Sequence, residues 1–382
     1  MPDDKKDTKC RVCLFSTVQR PNDVRMWYRE CKSLVREGFD VHMIVPWGIS
    51  GMKEGACLHD IKLYKNRILR MLLLPLVVVF KALRTRASIY HFHDPELLIV
   101  GFLMRWIFWR KVVFDMREST ARQIMGKEYL PKWSRVFISL CYRAVEFACT
   151  KGLAIIVAND WSAKEHPGSY LVRNFPEIDE QLMAGAAEMP ERLRKPLLIY
   201  VGGVWESRGA LIYVDLAQRL KMRGHRINLL IIGPYEGDFG RRLRAKIREL
   251  ELQDTVELRG LMDYREAMSL VSRATIGLSI LQPIPNYTFC LSGKIIEYMM
   301  CGTPVLTSRF APWQQYVEGE RTGRMVDPGD MDEIVDVCEQ MLTDQDALAE
   351  MGKRGMDAVR SKYNWSLESK ELLRCYHDVL GR

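Results

Sequence analysis

Apolar residues in this chain fall into short unbroken runs, separated by longer stretches in which they recur every three or four positions. Unbroken runs read as strands buried on both faces of a parallel sheet, and the spaced stretches as helices lying over them. Residues 9–15 read as a strand, 24–36 as a helix stopped by Glu37 and Gly38, and 41–45 as the next strand, which is a parallel βαβ unit. Strands at 88–91, 112–114, 154–157 and 170–172 follow, with helices at 97–108 and in the region ending near 150. From 174 to 195 the pattern breaks into a polar stretch with Pro176 and Pro190. It then restarts with strands at 197–201, 228–232, 256–258, 276–280 and 305–307 between helices at 210–222, 239–249 and 264–272.

The expectation is an α/β chain of two doubly wound Rossmann-like domains, 1–175 and 196–365, joined by a linker at 176–195 and closed by a helix at 366–382. Their strands' carboxyl ends would face a cleft, the place for a ligand in such sheets. A length of 382 residues agrees with two cores.

The formal charge of +8 favours an anionic partner without choosing among phosphate-bearing substrates, acidic membranes and nucleic acid. No recognised nucleic-acid module accompanies the basic residues, so no nucleic-acid partner is expected. Ten scattered cysteines suggest reduced thiols and a cytoplasmic protein, and the polar start MPDDKKDTK is unlike a signal peptide. No apolar run reaches the ~18 residues of a spanning helix.

Candidate chemistry centres on CLSGKIIEYMMCGT, residues 290–303. Ser292 and Gly293 form a small-residue turn before a short helix, and Lys294 and Glu297 share one face of it. A helix N-terminus with a lysine beside it seats phosphate, and a glutamate one turn deeper can accept hydrogen bonds from two ribose hydroxyls. An ordinary amphipathic helix with a solvated Lys/Glu pair gives the same pattern. Upstream, YVGGVWESRGAL places Gly202 and Gly203 at a strand end, where a ligand can approach the backbone, and aims Arg208 at the same cleft. The spacing is not GxGxxG, which disfavours a dinucleotide-binding dehydrogenase.

In the first domain, HFHDPELL gathers His91, His93, Asp94 and Glu96 at a strand end, and FDMRES puts Asp115 and Glu118 at the next. No other histidine has the spacing of a third ligand, so no metal is expected. Asp94 reads as a helix cap ahead of Pro95, Ser119 as another, and His93 as pointing into the cleft. Asp330 and Glu333 fit a capping box better than a metal motif.

Taken in order, NDVRMWYRECKSLVREGFDVHMIV, HFHDPELLIVGFL, KVVFDMRE, RNFP, YVGGVWESRGA, SGKIIEYMMCGTPVLTS, DPGDMDEI and KYNWSLESKELL resemble the family-4 glycosyltransferases, the group 1 type found in bacterial surface-polysaccharide assembly. The resemblance spans the chain. It implies the GT-B fold, with the last helices crossing back onto the first domain. It also implies that Glu297 holds the ribose of a nucleotide sugar, Arg208 neutralises the donor diphosphate, and His93 sits beside the donor sugar. Two positions depart from the commonest pattern: Gly203 stands where an arginine is usual, and Phe289 replaces the first glutamate of the E-x7-E signature. Lys294 is the natural substitute for the missing cation.

Residues 67–86, RILRMLLLPLVVVFKALRTR, and 104–111, MRWIFWRK, mix apolar and aromatic residues with cations. They read either as core helices or as a face on an anionic membrane. The leading expectation is a retaining, metal-independent glycosyltransferase without cofactor. Its donor is a UDP- or GDP-linked sugar, and its acceptor a polyprenyl-linked or other saccharide reached from the inner face of the cytoplasmic membrane. Asp94, Glu96, Asp115 and Glu118 are the acceptor-side candidates. A nucleotide-sugar epimerase, using those carboxylates as acids and bases, and a non-catalytic membrane-associated subunit are the alternatives.

Overall fold

The computed structural model describes residues 9–20, 22–46, 48, 50–62, 67–126, 131–186 and 189–381, with side chains at 67–72, 190 and 286 excluded. The polar N-terminal stretch and the basic start of 67–86 therefore lie outside what is described. The chain divides into two compact units, one of residues 1–174 and 365–382, the other of 175–364.

The first unit is an eight-stranded sheet in the order β3-β4-β2-β1-β5-β6-β7-β8. Its strands are β1 (Arg11–Phe15), β2 (Asp40–Pro46), β3 (Gly51–Lys53), β4 (Ala56–Ile61), β5 (Ile89–Phe92), β6 (Lys111–Met116), β7 (Ala154–Val157) and β8 (Tyr170–Leu171). Only β3 runs antiparallel, against β4. That edge pair was not foreseen, because β3 is three largely exposed residues and β4 mixes buried with half-buried positions instead of forming a run. The expected helix at 24–36 is a π-helical turn, Val24–Cys31, running into a short α-helix, Lys32–Arg36. Pro75 stands inside the helix Arg67–Arg84 without ending it. The last helix, Trp365–Leu380, closes this unit: Trp365, Leu372, Cys375 and Tyr376 join the core of Val12, Leu14, Trp27 and Val41.

The second unit is an all-parallel six-stranded sheet in the order β11-β10-β9-β12-β13-β14, the doubly wound arrangement with a switch point between β9 and β12. Its strands are β9 (Leu197–Val201), β10 (Asn228–Ile232), β11 (Val256–Arg259), β12 (Ile276–Ser279), β13 (Val305–Ser308) and β14 (Gly323–Val326). The inner strands β9, β10, β12 and β13 are largely buried runs, as a sheet covered on both faces requires, while the edge strands β11 and β14 expose Glu257 and Arg324. The stretch 176–195, expected as a linker, packs here instead. It carries the helices Glu180–Ala184 and Met189–Arg194, whose Met183 and Met189 are buried in this unit's cores.

Candidate active site

At the second unit's switch point, β9 delivers Gly202 and β12 delivers Ile280 to the same carboxyl edge. Gly202 adopts φ +141°, which other residues rarely adopt, and its amide bonds Ile232 O at 2.9 Å. A Cβ there would stand 3.3 Å from the Tyr200 hydroxyl, 3.4 Å from Lys294 Cε and 3.5 Å from Arg208 Nη1. Two cations from remote parts of the chain thus converge on a bare stretch of backbone.

Arg208 ends a 3-10 turn, Glu206–Arg208. Gly209 follows with φ +79°, where a Cβ would collide with Ile280 O at 2.0 Å, so glycine lets the turn lie against β12. Arg208 Nε donates to the Tyr287 hydroxyl at 3.2 Å. Lys294 enters from the first turn of the helix Gly293–Met300. Ser292 opens that helix without capping it, and its hydroxyl lies 3.4 Å from both Lys294 Nζ and Ser279 Oγ. Burial, with Arg208 adding, lowers the Lys294 amine to about 7, against the pull of Glu297. The residue is part-exposed, but its amine end is desolvated. Glu297 lies one turn deeper, half-buried, and Tyr298 beside it accepts the Val201 amide at 2.9 Å, tying the helix to β9. The second unit thus brings Gly202, Arg208, Ser292 and Lys294 together, with Gly203, Gly293 and Glu297 adjoining them in sequence. Tyr200 and Tyr287 were missed. Tyr200 could have been found, standing two residues before Gly202 in a strand.

At the first unit's switch point, between β1 and β5, a polar knot replaces the expected open edge. Asp94 does not cap a helix: its carboxylate accepts from Ser16 Oγ (2.7 Å) and Thr17 N (2.6 Å) and lies 3.0 Å from Thr17 Oγ1, whose one proton goes to Glu96 at 2.5 Å. Ser119 likewise makes no side-chain cap. His93 does not open onto solvent; its ring is buried, with Nε2 2.6 Å from Glu30 Oε2. Asp115 is sealed too, 2.7 Å from Arg25 Nε, which also lies 2.8 Å from Glu30 Oε1. Burial, helped by Arg117, brings His93 down to about 4, and burial pushes Asp115 up to about 6 against Arg25. Among the acceptor-side candidates only Glu118 is exposed, bonded by Gln123 at 2.6 Å. The third and fourth members that would complete a ligand set with His91 and His93 are the carboxylates Glu30 and Asp115, but the Arg25 guanidinium already supplies the cation there. Asp330 does cap, accepting the Glu333 amide at 3.0 Å, whereas Glu333 reaches the Asp327 amide instead of closing a box.

A family model described as glycosyl transferases group 1 matches residues 186–357, the sheet that carries Gly202, Arg208 and Lys294. Residues 186–357 are a group 1 glycosyltransferase domain, and the protein is a glycosyltransferase. This glycosyltransferase is 24% identical over 278 residues to alpha-D-kanosaminyltransferase of Streptomyces kanamyceticus, covering 67% of this chain and 70% of that one. It is 26% identical over 184 residues to the putative colanic acid biosynthesis glycosyltransferase WcaL of Escherichia coli K12, covering 46% and 43%. Among solved structures, sucrose-phosphate synthase of Thermosynechococcus elongatus superposes with a TM-score of 0.77 at 19% identity, over 98% of this chain and 100% of that one. Anabaena Alr3699/HepE, solved with UDP and glucose, gives 0.71 at 13%, over 97% and 100%. The fold of this glycosyltransferase is GT-B.

Proposed function

We propose that this glycosyltransferase moves a sugar from a UDP- or GDP-linked donor to a saccharide acceptor, with retention of configuration and without a metal or other cofactor. The convergence of Arg208 and Lys294 on Gly202 carries the reading. A departing nucleotide diphosphate gathers charge on its oxygens, and prealigned cations stabilise that charge more in the transition state than before it. The bond from the sugar's anomeric carbon to the diphosphate oxygen breaks with its electron pair going to the phosphate. The acceptor oxygen bonds the anomeric carbon, and its proton goes to the departing phosphate, so no protein nucleophile is needed.

Alr3699/HepE, solved with UDP and glucose, supports a nucleotide-sugar donor. Likeness to a colanic acid enzyme supports a role in surface polysaccharide assembly, which suits a polyprenyl-linked acceptor and a peripheral place at the inner face of the cytoplasmic membrane. Among the described residues no helix is long and apolar enough to cross a membrane. An epimerase would need free carboxylates, and Asp94 and Asp115 are both committed to buried partners.

A thermal-shift screen with UDP-, GDP- and ADP-sugars tests the donor, since a ligand of the native state raises its stability by mass action. No shift with any of them sinks the reading.

A further inference from the structure

The helix Lys132–Cys149 is inside out. Its inward stripe is Ser139, Tyr142 and Glu146, with Ser139 Oγ bonding Ala121 O at 3.0 Å and Glu146 lying 3.2 Å from His166. Its outward stripe, at helical spacing, is Trp133, Val136, Phe137, Leu140 and Phe147; Trp133 is 75% exposed, Phe147 70% and Phe137 63%. Polar inside and aromatic outside reverses the pattern of a helix facing water. The inward bonds fix which way it turns, so the exposure is not a register the helix can escape.

Two neighbours extend the face. The helix Leu98–Trp106 touches both this helix and Arg67–Arg84, and these two neighbours expose Leu76, Phe80, Ile99 and Trp106. Exposed aromatic and aliphatic residues gathered on packed helices mark an interaction site. The three helices carry eight lysines and arginines and one acid, the buried Glu146. Cations lie over the outward rings: Lys151 over Phe147 at 4.6 Å, Arg105 over Trp106 at 5.2 Å, Arg84 over Phe80 at 4.1 Å. Two copies meeting through this face would bring like charges together, whereas anionic headgroups would neutralise them.

We infer that the Lys132–Cys149 helix is a bilayer-insertion element, its aromatic stripe entering an anionic leaflet while the flanking cations engage phosphate headgroups. The inference deepens the reading of a membrane-borne acceptor and rests on it only for its purpose. The sequence offered 67–86 and 104–111 as either core helices or a membrane face, and gave the region ending near 150 only as helical.

The test uses the whole chain with phosphatidylglycerol/phosphatidylcholine vesicles, some with brominated acyl chains. Wild type is expected to float with anionic vesicles and to lose tryptophan fluorescence to the bromines. A variant with Trp133→Ser, Phe137→Ser and Phe147→Ser should need about a hundredfold more lipid, since three exposed rings no longer enter the bilayer. Absence of quenching in wild type overturns the proposal whether or not the variant folds. So does unchanged vesicle binding by a folded variant. A lipid-free wild-type dimer that the variant makes monomeric overturns it in favour of a second copy. Nucleotide-sugar binding measured without lipid should be equal in both proteins; its failure in wild type would sink the donor reading and leave the vesicle result standing.

Discussion

The Lys294 ammonium stands 5.0 Å from the centre of the Tyr200 ring. Tyr200 in turn donates its hydroxyl to Gly203 O at 2.8 Å, so the ring is held by the loop that follows its own strand. A desolvated amine over an aromatic face, with Arg208 next to it, is a cation awaiting an anion. Burial first, and Arg208 second, bring its pKa down to about 7 against the pull of Glu297.

Donor binding should therefore take up a proton. The free amine titrates near 7, and a diphosphate beside it raises that value, so uptake should approach one proton per chain at pH 8 and vanish near pH 6. Calorimetry of nucleotide-diphosphate binding in buffers of different ionisation enthalpy reads this directly. An uptake that is zero at pH 8 removes Lys294 from the phosphate seat.

The same shift has a stability consequence of fixed sign. Between about 7 and the ordinary 10.5 the unfolded chain holds a proton on Lys294 that the folded chain lacks, so this group makes stability rise with pH across that window. Lys294→Met should raise the melting temperature at pH 7 while weakening donor binding. A variant less stable than wild type would show that the amine is charged and paired in the free protein.

Arg208→Ala should slow transfer by about 10²–10³ with a smaller loss in donor affinity, because the charge it meets grows as the leaving group departs. Pre-steady-state transfer and equilibrium binding separate the two. Equal losses in both would make Arg208 an anchor only.

Glu297→Ala should weaken nucleotide binding by about tenfold, the loss expected for a charged hydrogen-bond acceptor to ribose, and leave the melting temperature close to wild type. Titration with the nucleoside diphosphate checks it. Unchanged affinity would leave Glu297 without a ribose role.

Arg25→Ala should destabilise the first unit by about 3–5 kcal/mol, since it leaves Glu30 and Asp115 buried without their cation. Denaturant unfolding measures it. A cost below about 1 kcal/mol would mean the two acids are neutral in the folded state.

The doubly wound alternation was legible because apolar runs of strand length, as in β9 and β10, recur between longer stretches of helical spacing. Arg208 and Lys294 were legible because each stands at the mouth of a helix beside glycine or serine. Their meeting at Gly202 was not, since it depends on β12 lying next to β9. The buried partners of His93 were also hidden. Glu30 and Arg25 lie on a helical stretch whose charged residues look solvent-facing in sequence, and only the π-helical turn Val24–Cys31 directs both inward. The aromatic residues at 133–147 gave a helix but not its orientation, because periodicity alone does not say which stripe faces the sheet.

Gly203 offers the sharpest test of whether Lys294 stands in for the arginine usual at that position in related sequences. A Cβ on Gly203 would lie 2.5 Å from Trp205 Nε1, so the indole occupies the space an arginine stem would need. Trp205 is exposed and can be cut back without opening the core. Gly203→Arg alone should therefore impair the enzyme by pushing the indole aside, and Lys294→Ala alone should slow transfer by about 10²–10³ as a lost preorganised cation does. In the triple variant Lys294→Ala, Gly203→Arg, Trp205→Ala, the guanidinium reaches the diphosphate from the other side of Gly202. It should recover at least about tenfold of the rate lost, worth about 1.4 kcal/mol of transition-state stabilisation. Rates measured at saturating donor for the three proteins decide it: a triple variant no faster than Lys294→Ala would show that the two positions serve different oxygens and that Lys294 is no replacement.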